Sequence, residues 1–350
     1  MSATISRRAA LVVAHDYDDF PVGSGQLDLR GDNSPPLLTR TDLPCTLTPG
    51  AVASYGEIAG DGRLRAVLAA LFGVRAEQVL ITAGGSEALL LALTCIADHG
   101  ESVCLPRPAF PGFEELAGLL GLHVIGYDVP GTVPRRGRVP VLVCTPHNPT
   151  GLIYSPEDTG DGDGWVVWDL SHSTLVDGSA AEFGARLGAQ DVVVFSLSKL
   201  LRLPGARIGC LIARDDDLLT AAAAAKTHLS MSTNRPAQDL ALHVLRDPLL
   251  PNELRLRTAH FAEMRELILD AVAESSALTA VPAVAGTHVF VGTVDRGDAW
   301  QRLRAAGVVG IPGTVFKTSD SWVRLCVAQQ HGVIDAAATR LRSLRSARTR

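Results

Sequence analysis

The chain has 350 residues, of which 47% are hydrophobic and 20% charged, with a formal net charge of −5. That composition excludes a disordered chain, and the lack of a basic excess argues against nucleic acid or an acidic membrane surface as partner. No apolar run reaches the roughly 18–20 residues of a membrane span, and the first sixteen residues are too polar for a secretory signal.

In chain order, residues 1–44 form an arm rich in Pro, Gly and Asp. A helix is predicted from Gly62 to Phe72, where Leu64, Val67, Leu68 and Leu71 fall at helical spacing. A unit of short apolar run, turn and helix then recurs. Val79–Thr82 reads as a strand and Ser86–Ala97 as a helix; Ser102–Leu105 is the next strand and Gly112–Leu120 the next helix. His123–Tyr127, Val139–Cys144, Trp165–Trp168, Val192–Phe195 and Ile208–Ala213 read as further strands. Strands alternating with helices predict βαβ units and a mostly parallel sheet, covered on both faces.

After about residue 235 the character changes. A helical stretch runs from Ala237 to Ser275, interrupted near Pro248 and Pro251. Short strands (Val289–Val291, Val323–Val327) and helices (Ala299–Ala306, Ile334–Leu344) follow. The expected fold class is therefore α/β: a large domain over 45–235 with a mostly parallel sheet between helices, and a small α+β domain over 236–350. The six cysteines (45, 95, 104, 144, 210 and 326) contain no C-x-x-C pair, and four of them lie in apolar segments. They read as reduced core residues of a cytoplasmic protein, with neither a metal site nor disulfides.

The 32 basic residues include only three lysines: Lys199, Lys226 and Lys317. Lys199 ends the run Val192-Val-Val-Phe-Ser196-Leu-Ser198-Lys199, and Arg207 follows eight residues later ahead of another apolar run. Hydroxyls and a guanidinium around a lysine can hold a phosphate dianion while the amine forms a Schiff base. Thr82-Ala-Gly-Gly-Ser86-Glu87 follows a strand and opens a helix, so free backbone N–H groups there can cradle a phosphate. Thr145-Pro-His-Asn148-Pro-Thr-Gly151 is a Pro/Gly turn after a strand, and Trp165-Val-Val-Trp-Asp169 places a carboxylate at a strand end.

The lysine segment resembles the lysine motif of fold-type-I pyridoxal-phosphate enzymes, in the class I/II aminotransferase family. The order Asn148, Asp169, Lys199 agrees with it, and the resemblance covers roughly residues 28–345. In size and motif order the chain is similar to histidinol-phosphate aminotransferases and threonine-phosphate decarboxylases. The resemblance implies pyridoxal 5′-phosphate on Lys199, a mainly parallel but mixed sheet in the large domain, and an arm at 1–44 that contributes to the small domain. Gly85, Ser86 and Glu87 match the cofactor-phosphate turn, with Ser196, Ser198 and Arg207 completing the phosphate site. Phe110 matches the aromatic ring stacked on the pyridine, and Asn148 the asparagine bonded to the 3′-oxygen. Asp169 matches the carboxylate that keeps the ring nitrogen protonated and makes the ring an electron sink. Tyr55 resembles the tyrosine that reaches the phosphate of the neighbouring subunit, which implies a homodimer with its active site at the interface. Arg324, in Trp322-Val-Arg-Leu-Cys, resembles the arginine that grips the substrate α-carboxylate bidentately. Asp32 and Asn33 fall in the amino-terminal segment that lies over the substrate. The implied reaction moves an amino group from an L-amino acid to a 2-oxo acid. A decarboxylase, a lyase or cyclase, or an oxidase using the same Schiff base is the alternative.

Two departures stand out. His172 occupies a position where many relatives carry a tyrosine bonded to the cofactor's 3′-oxygen; a histidine can donate the same bond. The spacing from Asn148 to Asp169, 169 − 148 = 21, is too short for the helix that relatives place there. The intervening Ser155–Gly164 holds four acidic residues and three glycines, a poor helix, and predicts a trimmed loop.

Overall fold

The computed structural model describes residues 6, 8–9, 12, 19–31, 52–135, 137–160, 162–173 and 179–345. Helix α1, Gly62–Phe72, has the predicted bounds. Its Asp61 cap accepts from the Arg63 N–H (2.8 Å), and the helix ends at Gly73 in the left-handed region. Leu64, Leu68 and Phe72 are its buried face.

Seven strands form the large sheet. In chain order they are β2 (Val79–Thr82), β3 (Ser102–Arg107), β4 (His123–Asp128), β5 (Val141–Cys144), β6 (Val166–Asp169), β7 (Asp191–Ser196) and β8 (Gly209–Ala213), after a short β1 at Leu27–Asp28. The spatial order is β2-β8-β7-β6-β5-β3-β4. All pairs are parallel except those of β8, which runs antiparallel to both β2 and β7. The sheet is therefore mixed, as its apolar runs alone do not reveal.

Those runs are continuous because both faces are covered. Along β7, Val193 and Phe195 join one core with Phe72 and Trp168, whereas Val192 and Val194 join the other with Leu91 and Phe113. Helix α2 (Gly85–Ile96) and helix α3 (Pro111–Leu120) cover the second face. Helix α4 (Ser179–Arg186), the short α5 (Leu197–Leu200) and α6 (Asp216–Leu229) follow. All three go beyond the sequence reading. Helix α6 starts where Asp215 accepts from the Leu218 N–H (2.7 Å).

The predicted stretch from Ala237 to Ser275 divides into α7 (Arg235–Leu245) and α8 (Leu250–Ala273). Pro236 and Pro251 each sit in a first turn, where the missing N–H has no helical partner to lose. A second sheet follows, with order β12-β13-β10-β9 and every pairing antiparallel. Its strands are β9 (Leu278–Ala280), β10 (His288–Thr293), β12 (Ile311–Pro312) and β13 (Trp322–Cys326). Helix α9 (Ala299–Ala305) precedes β11 (Val308–Val309), and α10 (His331–Arg342) closes the chain's last packed layer. Val289, Val291 and Leu325 pack with Met264, Ile268 and Ile334 in one core. The amino-terminal β1 pairs in parallel with β11, and Leu29 joins that same core.

Between β5 and β6 the chain makes only a 3-10 turn, Pro156–Asp158, closed by reciprocal Ser155 and Asp158 bonds. No helix occurs there among the described residues, in line with the trimmed loop. No helix is long and apolar enough to cross a membrane among the described residues.

Candidate active site

A cleft of about 490 Å³ opens at the carboxyl ends of β5, β6 and β7. Open α/β sheets bind ligands at that edge. One end of the cleft is made of backbone and hydroxyls. Strand β7 ends at Ser196, whose hydroxyl accepts from the Ser198 N–H (3.3 Å) and starts α5. Lys199 on that single turn is exposed to the cleft. The Ser198 hydroxyl is buried and has no hydrogen-bond partner among the described residues. Across from it the amino terminus of α2 presents Gly85 and Ser86. Gly84 caps that helix at φ 80°, and a Cβ there would lie 2.6 Å from Nη2 of Arg207. The guanidinium thus rests on the glycine turn. A Cβ on Gly209 would lie 2.6 Å from the Gly84 carbonyl carbon and 2.8 Å from the Gly85 nitrogen. Two glycines therefore let β8 and its arginine approach the helix terminus.

The floor of the cleft is Asp169, buried at the end of β6 opposite Cys144 of β5. Burial raises its carboxyl above the usual range, and the Ser171 hydroxyl and N–H, the latter donated to Oδ1 at 2.9 Å, pull it back. Phe110, the cap of α3, forms one wall and meets Phe113 edge-on with centroids 5.4 Å apart.

The other end is made of side chains from distant segments. Arg324 of β13 donates through Nη1 to Asn148 Oδ1 (3.1 Å) and through Nη2 to the Arg30 carbonyl (2.8 Å). Its guanidinium lies over the Phe316 ring, 5.0 Å from the centroid. Asn148 is held by a tight turn in which the Gly151 N–H donates to the His147 carbonyl (2.7 Å). Gly151 sits at φ 73°, where a Cβ would lie 2.7 Å from the His288 carbonyl oxygen. His147 is buried, its Nδ1 2.8 Å from the Thr150 hydroxyl, and burial pushes its ring down to about 3. His172, on the turn after β6, meets His288 of β10 edge-on with centroids 4.8 Å apart. Burial, then the nearby Lys199 and Arg324 cations, push His172 down to about 3 and His288 well below the ordinary histidine value.

Eleven of the residues singled out from the sequence line this one cleft: Gly85, Ser86, Phe110, Asn148, Asp169, His172, Ser196, Ser198, Lys199, Arg207 and Arg324. Glu87 does not. Its carboxylate turns back to accept from the Ala83 N–H, away from where a phosphate would be repelled by it. Tyr55 is 81% exposed and lines a separate surface recess with Arg235 and Gln238, so it serves no cofactor within its own protomer. Asp32 and Asn33 lie outside the described residues. The cleft also uses Ser171, Arg257 and His288, which sequence reasoning missed. Ser171, two residues past Asp169, stood within reach of the strand-end motif; Arg257 and His288 lie in an ordinary helix and an ordinary strand.

A lysine beside orphaned hydroxyl, helix terminus and guanidinium, with a buried carboxylate at the floor, defines a protein built to hold a phosphorylated carbonyl cofactor. The chain belongs to the class I and II aminotransferase family, whose model matches residues 18–341. It is 26% identical over 307 residues to an aspartate aminotransferase of Geobacillus stearothermophilus, covering 77% of each chain. It is 27% identical over 297 residues to capreomycidine synthase of Streptomyces vinaceus, covering 76% of this chain and 74% of that one. The fold is similar to that of the α-aminoadipate aminotransferase LysN from Thermus thermophilus, with a TM-score of 0.78 at 20% identity over 97% of this chain and 96% of that one. The protein is thus a class I/II aminotransferase, and its cofactor is pyridoxal 5′-phosphate. The residues present fit that group: the unpartnered Ser198 hydroxyl and the Gly84–Arg207 contact form a cradle for a dianion.

Proposed function

We propose that the enzyme moves the amino group of an L-amino acid to a 2-oxo acid, with Lys199 as the residue that carries the cofactor and transfers the substrate's Cα proton. The observation that supports this reading is the convergence of Lys199 and Arg324 on one cleft, with the Asn148 amide bonded to the arginine. Bound pyridoxal phosphate supplies an electron sink for the bond broken at Cα. Arg324 holds the carboxylate end of the substrate, and a guanidinium clamp sets its orientation as well as its affinity. Lys199, exposed to the same cleft, takes the Cα proton as general base and returns it as general acid. Gly85, Ser86, Ser196, Ser198 and Arg207 hold the phosphate, and Glu87 supports the turn from behind. Phe110 packs on the ring, Asp169 pairs with its nitrogen, and Asn148 and His172 serve its 3′-oxygen. Asp32 and Asn33, outside the described residues, are assigned to substrate binding on the family resemblance alone.

Tyr55, remote from the cleft of its own chain, reaches the phosphate of a partner copy in a homodimer. The same reading divides the chain into an arm at 1–44, a cofactor-binding domain at 45–235 and a small domain at 236–350, in a cytoplasmic enzyme of specialised biosynthesis.

The likeness to a capreomycidine synthase supports a second reading, in which the same deprotonation leads to a product other than a 2-oxo acid. One experiment separates the two. Amino acids are screened in deuterated water for exchange of the Cα hydrogen, with products identified by mass. Exchange with formation of a 2-oxo acid supports aminotransfer, and exchange with a cyclised or eliminated product supports the second reading. Release of carbon dioxide without exchange overturns both.

A further inference from the structure

The two histidines of the cleft belong to different sheets. His288 pairs with Cys326 across β10 and β13, and Phe290 pairs with Arg324. Residues two apart on a strand share a face. His288 therefore stands on the same face of the small sheet as Arg324, one pair along. Its backbone is fixed from two sides. Val327 N–H donates to the neighbouring Thr287 carbonyl (2.8 Å), and the Gly151 turn leaves no room for a Cβ against the His288 carbonyl.

His172, by contrast, sits in a short turn of the large-sheet half, closed by the Ser173 N–H on the Leu170 carbonyl (3.0 Å). The rings meet with centroids 4.8 Å apart and planes inclined at 67°. That is the edge-to-face arrangement in which the positive rim of one ring addresses the face of the other. Facing the pair are Lys199 from α5, Arg324 from β13 and His147 from the Asn148 turn. Burial and the Lys199 and Arg324 cations keep both rings neutral. A neutral imidazole has one donor and one acceptor nitrogen, and its surroundings decide which is which.

We propose that His288 is a positioning residue that acts through His172: its edge-on ring ties the tilt of His172 to the sheet that carries Arg324. The nitrogen that His172 presents to the cleft is then set from the carboxylate-binding side. A carboxylate on Arg324 is sensed at His172 through one strand pairing and one ring contact. This last consequence rests on the reading of Arg324 as the carboxylate-binding residue; the ring contact does not.

The test is nitrogen NMR of the holoenzyme with ring-labelled histidines, the His172 signals being assigned by their loss in His172→Gln. The wild type is expected to show one neutral His172 tautomer from about pH 6 to 8. His288→Ala is expected to show a mixture of tautomers; His288→Phe, which keeps an aromatic edge, is expected to keep the single form. If the alanine variant does not fold, His288→Gln answers the same question. Adding maleate or hydrocinnamate as carboxylate probe is expected to move the His172 signals more in the wild type than in His288→Ala, where only the direct field of Arg324 reaches His172; an equal movement in both overturns the coupling through His288. Unchanged His172 signals in the alanine or glutamine variant overturn the proposal, as does a tautomer mixture in the phenylalanine variant. The outcome is separate from the reaction class: a failed aminotransfer assay leaves these signals informative, and unchanged signals leave aminotransfer intact.

Discussion

The two ends of the cleft are built by opposite means. The lysine end uses backbone and small groups supplied by nearly contiguous segments: Gly84 to Ser86, Ser196 to Lys199, and Arg207. Its shape depends on two glycines where a Cβ would strike backbone or guanidinium. The arginine end uses side chains drawn from β13, β10 and the turns after β5 and β6, with a backbone carbonyl from the amino-terminal segment. Its shape depends on the small sheet meeting the turns that follow β5 and β6. The difference teaches that one end of a cleft can be assembled from short, nearly contiguous motifs, while the other exists only once remote segments have packed together.

The largest effect that tests this contrast is expected at Lys199, where the two ends meet. Lys199→Ala is expected to lower turnover by at least about 10²–10⁴-fold, the scale of a lost general acid–base group. Cofactor should survive dialysis, because the phosphate contacts are independent of the amine. Borohydride reduction of the wild type followed by peptide mapping should place the label on Lys199; a label on Lys226 or Lys317 would break the assignment.

Arg324→Ala comes next. It removes a cation and leaves the Asn148 amide oxygen and the Arg30 carbonyl without their donor. Weakening of carboxylate substrates by about 2–5 kcal/mol is expected from losing one partner of a buried charge pair. It should be read as kcat/KM, with cofactor content unchanged. Loss of cofactor along with substrate would mean that the two ends are not separable.

Gly209→Ala should do the reverse. Its Cβ has only backbone to meet, at 2.6–2.8 Å from Gly84, Phe195 and Gly85 atoms. A loss of about 1–3 kcal/mol of stability is expected from overpacking. Cofactor dissociation should become faster while KM of the remaining holoenzyme stays near wild type. Thermal unfolding and spectrophotometric titration with cofactor measure the two.

The smallest effect per group is acid lability. His147 and His172 stay neutral in the fold down to about 3, and burial keeps His288 neutral well below the ordinary histidine value. In the unfolded chain they take up protons below about 6.5. The unfolded state then binds more protons, so stability is full above that value and falls as pH drops below it. The slope is up to about 1.4 kcal/mol per pH unit for each histidine. Urea midpoints measured from neutral to mildly acidic pH should fall accordingly, and His147→Gln should flatten the dependence. A midpoint independent of pH in that range would show that these rings are not held neutral.

The sequence by itself determined the class of sheet, most strand positions and the cofactor. Those signals are local: apolar runs buried on both faces, glycine before a helix, and Ser-Leu-Ser-Lys199 with Arg207 in reach. It also anticipated the loop between β5 and β6, because a run of Asp and Gly cannot sustain a helix. Only the tertiary structure decided that β8 runs antiparallel, since side-chain alternation has the same period in either direction. Likewise, only the packed chain shows Tyr55 on the surface, whereas Glu87 is turned back by a local bond to the Ala83 N–H at the helix start. His288 was illegible for the same reason. A histidine in a buried strand carries no local signal, and its meaning arises from His172, 288 − 172 = 116 residues earlier, and from Arg324 on the next strand. Contacts between remote segments are fixed by how whole sheets pack, and no short stretch of chain contains that information.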